Sequence, residues 1–381
     1  MAISAAKWTH MPKDAHRLSS NLITDPGRSQ LPVLMVVHGD DYGWNSGNPY
    51  NGTVLASYGQ IIVITLNYRL GVFGFLGRCE ASSCSGNSGL SDLVAALKML
   101  SNILPAFGGD PTLITLLGWG SGASLCIELM DEKKRLSRSQ KSVDNIVRCM
   151  QDHSPQNITR AARKIATPTF LSVFAPIVDG QVVPNKPDAL FGSQYGSLFR
   201  DVDLLVGVTN NPAHHLLPND DIRLGIDKEK RERIYRTLVR NLYDFHRKEI
   251  LAAITNEYTD WENPKDHPKT IRNGVLAALS DVLFVAPLIE TARLHSTDDS
   301  KRASTTFMFL FAHESKRTSE EFIESGIRGS ISGDHIPYIL GYPLKKEDEL
   351  YSGFTPEDQM ISRVMMHYIS NFVKSGYVCQ S

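Results

Sequence analysis

The stretch Ile114-Thr-Leu-Leu-Gly118-Trp119-Gly120-Ser121-Gly122-Ala-Ser runs from an apolar segment through closely spaced glycines into a helical pattern. This order predicts a strand, a sharp turn and a helix, the geometry of a nucleophile elbow. An elbow places its attacking serine between two glycines, because the backbone folds back too tightly there for side chains. Gly118 and Gly122 stand in the expected places, but the residue between them is Gly120. Glycine has no side chain that can attack a substrate, so the sequence predicts the turn without its nucleophile.

The composition is that of a large globular protein without an electrostatic bias. Of the 381 residues, 42% are hydrophobic and 21% are charged. Forty Lys+Arg against 41 Asp+Glu give a formal net charge of −1, so there is no basic surface of the kind that nucleic-acid binding requires. No uninterrupted apolar run reaches the ~18–20 residues of a membrane span. The first ten residues lack the apolar centre of a signal peptide. We therefore predict no nucleic-acid partner, and the chain itself shows neither a signal peptide nor a transmembrane segment.

Apolar runs that end in turn residues recur along the chain, with helical patterns between them. The runs are continuously apolar, as in strands that are covered on both faces. They occupy residues 33–37, 61–65, 113–117, 204–208 and 307–311. The helical patterns occupy residues 91–100, 271–294 and 358–374. Strands that alternate with helices predict an α/β protein with a mostly parallel, doubly wound sheet.

Several sequence landmarks resemble the type-B carboxylesterase/cholinesterase family. They are LPVLMVVHG at 31–39, NYRLGVFGFL at 67–76, GNSGLSD at 86–92, FGGDP at 107–111 and APIVDG at 175–180. Within that family the chain is most similar to the neuroligins, particularly the invertebrate type. The stretches that indicate this are EYTDW at 257–261, FVAPLIETARLH at 284–295 and GDHIPYILG at 333–341.

The resemblance implies an α/β-hydrolase fold and a domain organisation. We expect a carboxylesterase-like domain at 31–376, preceded by an irregular N-terminal segment at 1–30. Compared with the family, we expect the fold to be truncated at the N-terminus and to lack one strand–helix step after residue 130. An atypical charged linker at 131–145 stands in its place.

The resemblance also assigns the positions of a catalytic triad. Gly120 stands at the position of the nucleophile, Pro212 at that of the acid and Ser332 at that of the base. A serine relay needs a nucleophile, an imidazole that takes its proton and a carboxylate that orients the imidazole. In the oxyanion loop Gly39 is followed by Asp40, where an active member has further glycines. Since a carboxylate there opposes the stabilisation of an oxyanion, we predict that the protein is not an enzyme.

Neuroligins are catalytically silent adhesion proteins that bind neurexins across synapses. The resemblance therefore implies a non-enzymatic cell-adhesion protein at the synaptic cell surface, attached by a single membrane span, with a neurexin-like partner. The candidate partner-binding residues are Asn210, Asn211, His214, Asn219, Asp220 and Asp221. We predict no cofactor and no metal site within the chain. The resemblance allows calcium only at a partner interface, and a turn is the commoner role of an Asn-Asp-Asp sequence.

Family members dimerise by packing two helices from each subunit together, and the matching helices here are 271–294 and 358–374. In the second helix, apolar side chains at helical spacing predict a wide apolar face that serves either the core or this homodimer. Its members are Val364, Met365, Tyr368, Ile369 and Phe372.

Cysteines and sequons bear on the compartment. Cys79 and Cys84 lie close together in a Gly/Ser-rich segment, and an odd total of five cysteines leaves at least one thiol unpaired. The triplets that begin at Asn51 and Asn157 predict glycosylation if the chain is secreted.

Two alternatives to the adhesion hypothesis stay open. One is a divergent serine hydrolase that uses Ser121, with His335 beside Asp334 as a displaced base and acid. Against it, we expect the Ser121 hydroxyl to accept hydrogen bonds from unpaired amides at the start of its helix. The other alternative is a non-functional truncated product, because a missing central strand exposes the edges of its neighbours.

Overall fold

The computed structural model describes residues 2–3, 30–80, 83–132, 150–180, 182–186, 199–262, 267–296, 304–315, 325–345 and 353–379. Most of the N-terminal segment predicted at 1–30 and most of the linker predicted at 131–145 lie outside these residues.

The described strands and helices alternate along much of the chain. The strands are β1 (Ala2–Ile3), β2 (Leu31–Val37), β3 (Ile62–Thr65), β4 (Arg78–Glu80), β5 (Ser83–Ser85), β6 (Gly109–Gly118), β7 (Leu204–Thr209) and β8 (Thr306–Phe311). The first helices are α1 (Thr53–Gly59), α2 (Gly71–Phe75), α3 (Ser88–Ile103), α4 (Ser121–Glu132), α5 (Pro155–Ala162) and α6 (Asn219–Leu224). The remaining helices are α7 (Lys228–Leu242), α8 (Arg247–Glu257), α9 (Pro268–Ser280), α10 (Ala286–His295), α11 (His335–Leu340) and α12 (Pro356–Ser375). The five predicted strands and three predicted helices are all confirmed, each within a few residues.

One of the two three-stranded sheets is parallel throughout, as the sequence predicts. Strand β2 lies in the middle, with β3 on one side and β6 on the other, both parallel to it. Strands β7 and β8 form a second parallel pair. The two-residue strand β1 runs antiparallel to β7 and also contacts β6. Part of the β7 edge is therefore paired with residues near the N-terminus.

Both faces of strand β2 are buried, because helices cover the sheet on each side. Val33 and Met35 pack against α3 and α4, whose apolar residues recur at helical spacing. Leu34 and Val36 face the other way, towards α11 and α12. Full burial of each such side chain contributes about 1.5–3 kcal/mol. This arrangement confirms the doubly wound α/β architecture and explains why the strand sequence is apolar at every position.

Helix α12 begins and ends at residues that favour those positions. The Thr355 hydroxyl accepts a hydrogen bond from the amide of Asp358, whose carboxylate accepts one from the Thr355 amide, which forms a capping box. Gly376, at φ 75°, ends the helix in the left-handed region. The wide apolar face predicted on this helix is divided by its surroundings into two stripes. One stripe, which includes Ile369 and Phe372, is buried, whereas Val364 and Tyr368 are exposed by 43% and 40%.

The helical pattern predicted at 271–294 forms one continuous element. Helix α9 passes through a π-helical turn, Asp281–Val285, directly into α10. The stretches Ser88–Phe107 and Pro268–His295 are each long and apolar enough to cross a membrane by length and composition alone. Both also contribute buried side chains to the protein core, as core helices do.

Candidate functional site: a modified elbow and oxyanion loop

The elbow predicted from the glycines is present in its backbone. Gly120 lies at φ +54°, between the end of β6 and the start of α4. A Cβ atom on Gly118 would lie 2.3 Å from the Gly122 carbonyl oxygen, and one on Gly122 would lie 2.2 Å from that of Val37. No L-residue side chain fits at either position. At Gly120 the nearest atom is the Asp40 amide nitrogen at 3.8 Å, so the nucleophile position has room for a side chain and lacks one.

Ser121 fills the place where an oxyanion would be bound. The amides of Asp40 and Tyr42 each donate a hydrogen bond of 3.1 Å to its Oγ. These donors belong to the loop that follows β2, and in an active member such amides stabilise the developing negative charge. The prediction that Ser121 caps its own helix is therefore wrong. Its hydroxyl instead bridges two elements about 80 positions apart, and the residue is only 8% exposed.

The loop from Asp40 to Asn45 carries unusual backbone angles. Four residues without glycine's freedom adopt positive φ, namely Asp40 (139°), Asp41 (54°), Tyr42 (55°) and Asn45 (100°). Such conformations each cost on the order of 1–3 kcal/mol unless surrounding contacts hold them. The Asn45 side-chain amide provides such contacts, since it donates to the Gly39 carbonyl and to the Asp40 carboxylate, both at 2.8 Å.

Two carboxylates now lie where glycines are expected. Burial raises the pKa of Asp40, while its hydrogen bond from Asn45 and the nearby His215 act in the opposite direction. Asp41 is exposed and accepts a hydrogen bond from Ser172. The altered oxyanion loop therefore carries a half-buried acid, Asp40, next to the amides that bond to Ser121.

The segments that would supply an acid and a base are brought together. Asn211, directly before Pro212, pairs in parallel with Ile331, directly before Ser332. The Asn211 amide donates to the Ser330 carbonyl at 2.9 Å. The two segments are thus neighbours in the fold, but proline and serine occupy the positions of the acid and the base, and neither can orient or provide an imidazole.

The displaced pair Asp334–His335 does not form a relay. The Asp334 carboxylate accepts a hydrogen bond of 2.7 Å from the Ile331 amide. His335 is 4% exposed, and its Nδ1 atom has no hydrogen-bond partner. Burial lowers the pKa of His335 to about 4. The ring lines a small pocket with Gly118 and Trp119 that has room for about one water molecule, which is too little for an acyl substrate.

Another histidine, His38, supports the oxyanion loop where it leaves strand β2. His38 is buried, its ring stacks on that of Tyr68 at 4.5 Å, and the Tyr68 hydroxyl donates to the His38 carbonyl at 2.6 Å. Burial lowers the pKa of His38 to about 4. From the sequence, His38 at the end of a strand is expected to brace the loop, but its partner Tyr68 and the Asn45 contacts were missed, because no local pattern marks them.

The candidate partner-binding residues divide into two groups. Asn210 and Asn211 use their side chains within the protein, on Ser330 and on the Arg328 carbonyl. Asp221 is 8% exposed and forms an ion pair of 2.5 Å with Lys230. The exposed members of the set are Asn210, Asn219 and Asp220, while Asn211 and His214 are partly buried. The turn expected at Asn-Asp-Asp is the first turn of helix α6.

The sequons lie in accessible places. The Asn51 side-chain oxygen accepts a hydrogen bond of 2.9 Å from the Thr53 amide, just before α1. Asn157 is exposed in the first turn of α5. Among the described residues there is no group of His, Cys, Asp and Glu side chains with the arrangement of a metal site.

Comparison with known proteins agrees with this architecture. The sequence matches the Carboxylesterase family over residues 10–135 and 130–378. It is 54% identical to Neuroligin-1 of Caenorhabditis elegans, over 99% of this chain and 59% of that protein. Identity is 32% to Neuroligin-2 of Homo sapiens and 29% to Neuroligin-3 of Mus musculus, over 93% and 91% of this chain and 45% of each relative. The chain spans about half the length of the curated relatives it matches. It therefore belongs to the carboxylesterase family, and within that family it is similar to the neuroligins.

Proposed function

We propose that this chain is a non-catalytic adhesion module of a cell-surface protein, and that it binds a neurexin-like partner. The observation that carries the proposal is the Ser121 hydroxyl, which accepts hydrogen bonds from the Asp40 and Tyr42 amides beside an elbow whose nucleophile is glycine. An elbow of this kind keeps the fold, but it has no attacking atom, and the amides that would stabilise an oxyanion already bond to Ser121. The similarity to neuroligins supports adhesion in place of hydrolysis.

The first experiment separates adhesion from hydrolysis. The purified chain is treated with a fluorophosphonate probe, and circular dichroism melting is recorded on the same sample. We expect a cooperative melt and no labelling, with an active carboxylesterase as the positive control for the probe. Labelling at Ser121 would replace the proposal with a displaced-nucleophile hydrolase. A sample without a cooperative melt would favour the non-functional product.

The partner surface that we propose is the exposed start of helix α6. The Asp220 side chain is 83% exposed, and Asn219 precedes it on the same surface. Carboxylate and amide oxygens of this kind are suitable ligands for a calcium ion that a partner completes. Asp221 is excluded from this role in our proposal, because it is only 8% exposed and pairs with Lys230 at 2.5 Å. Asp220 contacts Arg223 at 3.4 Å, but that pair lies at the surface, where water competes for both charges.

Binding of immobilised neurexin ectodomain tests this surface. We expect Asp220→Asn to weaken binding at least about tenfold, the effect of a contact worth more than 1 kcal/mol, and we expect a calcium chelator to weaken wild-type binding. Asp152→Asn is the matched control, since Asp152 is also an exposed aspartate but lies before α5. Binding that is equally insensitive to both substitutions and to the chelator would reject the surface. An absence of binding by a well-folded wild-type chain would reject the partner.

We also propose that the chain forms a homodimer through the exposed stripe of α12 and the helix α9–α10. Met360, Val364 and Tyr368 recur every four residues and are exposed by 59%, 43% and 40%. Ile289 of α10 adds a further half-exposed apolar side chain. Light scattering of Val364→Glu should show monomers where wild type shows dimers. Met99→Glu introduces the same charge at an exposed apolar site of α3 and should leave the dimer intact; equal behaviour of the two variants would contradict the proposed interface.

A further inference from the structure

The hairpin formed by β4 and β5 places two cysteines opposite each other. The strands Arg78–Glu80 and Ser83–Ser85 pair antiparallel, and Cys79 and Cys84 are direct partners in the register. The neighbouring pairs are Arg78 with Ser85 and Glu80 with Ser83. Two residues in the sequence connect the strands. The strand pairing, not the short connection alone, places the two cysteines directly opposite each other.

The register also fixes the type of pair. In a hairpin with a two-residue connection, the pair that closes the loop exchanges backbone hydrogen bonds, and the pairs then alternate along the ladder. Glu80 and Ser83 are the closing pair, so Cys79 and Cys84 occupy a non-hydrogen-bonded position. Opposed Cα atoms there are about 4.5 Å apart, and a disulfide spans Cα distances of about 4.4–6.8 Å. The backbone therefore suits a disulfide without rearrangement.

We propose that Cys79 and Cys84 form a disulfide that closes this hairpin. One thiolate attacks a disulfide oxidant, such as oxidised glutathione or a disulfide oxidoreductase, and forms a mixed disulfide while one thiol of the oxidant leaves. The second thiolate then displaces the remaining oxidant thiol and forms the Cys79–Cys84 bond. The two cysteine thiols lose two protons and two electrons, and the oxidant disulfide is reduced to two thiols. This inference requires an oxidising environment and is independent of partner binding.

The position of the hairpin gives the bridge a structural role. The hairpin joins α2 to α3, and the residue that precedes α3, Asn87, is 3% exposed. The Asn87 side chain donates to the Ile177 carbonyl at 2.8 Å and accepts from the Ile177 amide at 2.9 Å. A two-stranded hairpin is marginally stable alone. A disulfide across the hairpin would therefore fix the segment that leads to Asn87 and helix α3.

The two other cysteines that the structure describes are poor competitors. Cys126 is fully buried in the core, and burial raises the pKa of its thiol, so little reactive thiolate forms. Cys379 is exposed and lies after α12, near the end of the chain. Cys379 therefore serves as an internal standard for alkylation.

Peptide mapping of the full chain tests the bridge. The folded protein is equilibrated in a glutathione buffer poised like the endoplasmic reticulum, blocked with N-ethylmaleimide, and digested with trypsin and a glutamate-specific protease. Cleavage after Arg78, Glu80 and Lys98 puts the two cysteines in different peptides. We expect the Cys79–Glu80 dipeptide joined to the Ala81–Lys98 peptide, the loss of this species on reduction, and full alkylation of Cys379.

Two variants complete the test. Cys84→Ser should make Cys79 available to N-ethylmaleimide, whereas Cys379→Ser should leave the linked peptides unchanged. A melting curve on each sample shows that the chain is folded when it is blocked. Alkylation of both Cys79 and Cys84 in folded wild type, or a link from either one to Cys149 or Cys379, would overturn the proposal. Because oxidation is carried out on the purified chain, the result does not depend on where the protein resides or on what it binds.

Discussion

Replacement of Ser121 by alanine tests the central feature of the site. In wild type the Asp40 and Tyr42 amides donate to the Ser121 hydroxyl, each at 3.1 Å. Alanine removes this acceptor and leaves two backbone donors in a partly buried loop. We expect Ser121→Ala to destabilise the fold, because Ser121 holds the oxyanion loop against the elbow. If Ser121 were a nucleophile, its loss would abolish labelling by a serine-directed probe and leave stability largely unchanged.

The size of the effect follows from these two bonds. A hydrogen bond of this type contributes about 0.5–1.5 kcal/mol net, and an unsatisfied buried donor costs about 1–3 kcal/mol. Both amides lie in half-buried residues, so water partly compensates and we expect a total of about 2 kcal/mol. For 381 residues, an unfolding entropy of about 2.1 cal/mol/K per residue converts this energy into a Tm that is lower by about 2–3 °C.

Urea unfolding gives the free energy, and hydrogen exchange locates the change. The amides of Asp40 and Tyr42 should exchange faster in Ser121→Ala, while amides in strand β2 should be unaffected. Ser101→Ala is the matched control, since Ser101 is an exposed helical serine whose hydroxyl donates to the Leu97 carbonyl. It should cost less than about 0.5 kcal/mol. Equal stability of the two variants, together with unchanged exchange in the loop, would refute the assigned role of Ser121.

Three further predictions concern chemistry and pH. Gly120→Ser should fold with a loss of about 1–2 kcal/mol, because a side chain fits at φ +54° with strain. An assay with a p-nitrophenyl ester should detect no hydrolysis, since Pro212 and Ser332 occupy the positions of the acid and the base. Burial alone would raise the pKa of Asp358, but hydrogen bonds from Tyr338, His313 and Thr355 lower it to about 2. The stability that this carboxylate contributes is present above its unfolded pKa of 3.8 and is lost as the pH falls through about 2. The loss amounts to about 2 kcal/mol of unfolding free energy. An acid titration of the stability of Asp358→Asn should no longer show this loss. Burial lowers the pKa of His335 from 6.5 to about 4. The stability that the neutral ring contributes is therefore lost as the pH falls through that range, and its NMR signals should not titrate above pH ~5. Titration near pH ~6.5 would contradict the burial of this ring.

The sequence predicted those features of the fold for which several neighbouring residues are subject to the same physical constraint. The run from Val33 to Val37 is apolar at every position because helices cover both faces of the sheet, and the structure confirms such a strand. Gly118 and Gly122 predicted the elbow because the turn excludes any Cβ atom. These constraints act on the local backbone, so a single sequence contains them.

The contacts that define the site were not readable in the same way. The bond between Ser121 and the loop depends on the path of Asp40 to Tyr42, which lie about 80 positions earlier. The resemblance to neuroligins assigned Asn210 and Asn211 to a partner surface, whereas the structure shows their side chains bonded to residues 328–330. Helical spacing on α12 identified apolar positions without showing that only one stripe is buried, because spacing does not reveal which neighbours cover a face.

The three glycines of the elbow differ in how well their positions tolerate a side chain. A methyl group at Gly118 or Gly122 would collide with a carbonyl oxygen at 2.3 Å or 2.2 Å, whereas one at Gly120 would meet nothing closer than 3.8 Å. A chain with this turn therefore needs glycine at the outer two positions whether or not it carries out a reaction, while the middle position accepts a side chain at the cost of a strained positive φ. The outer glycines are required by the turn, and the chemistry at its tip can be lost without losing the turn itself.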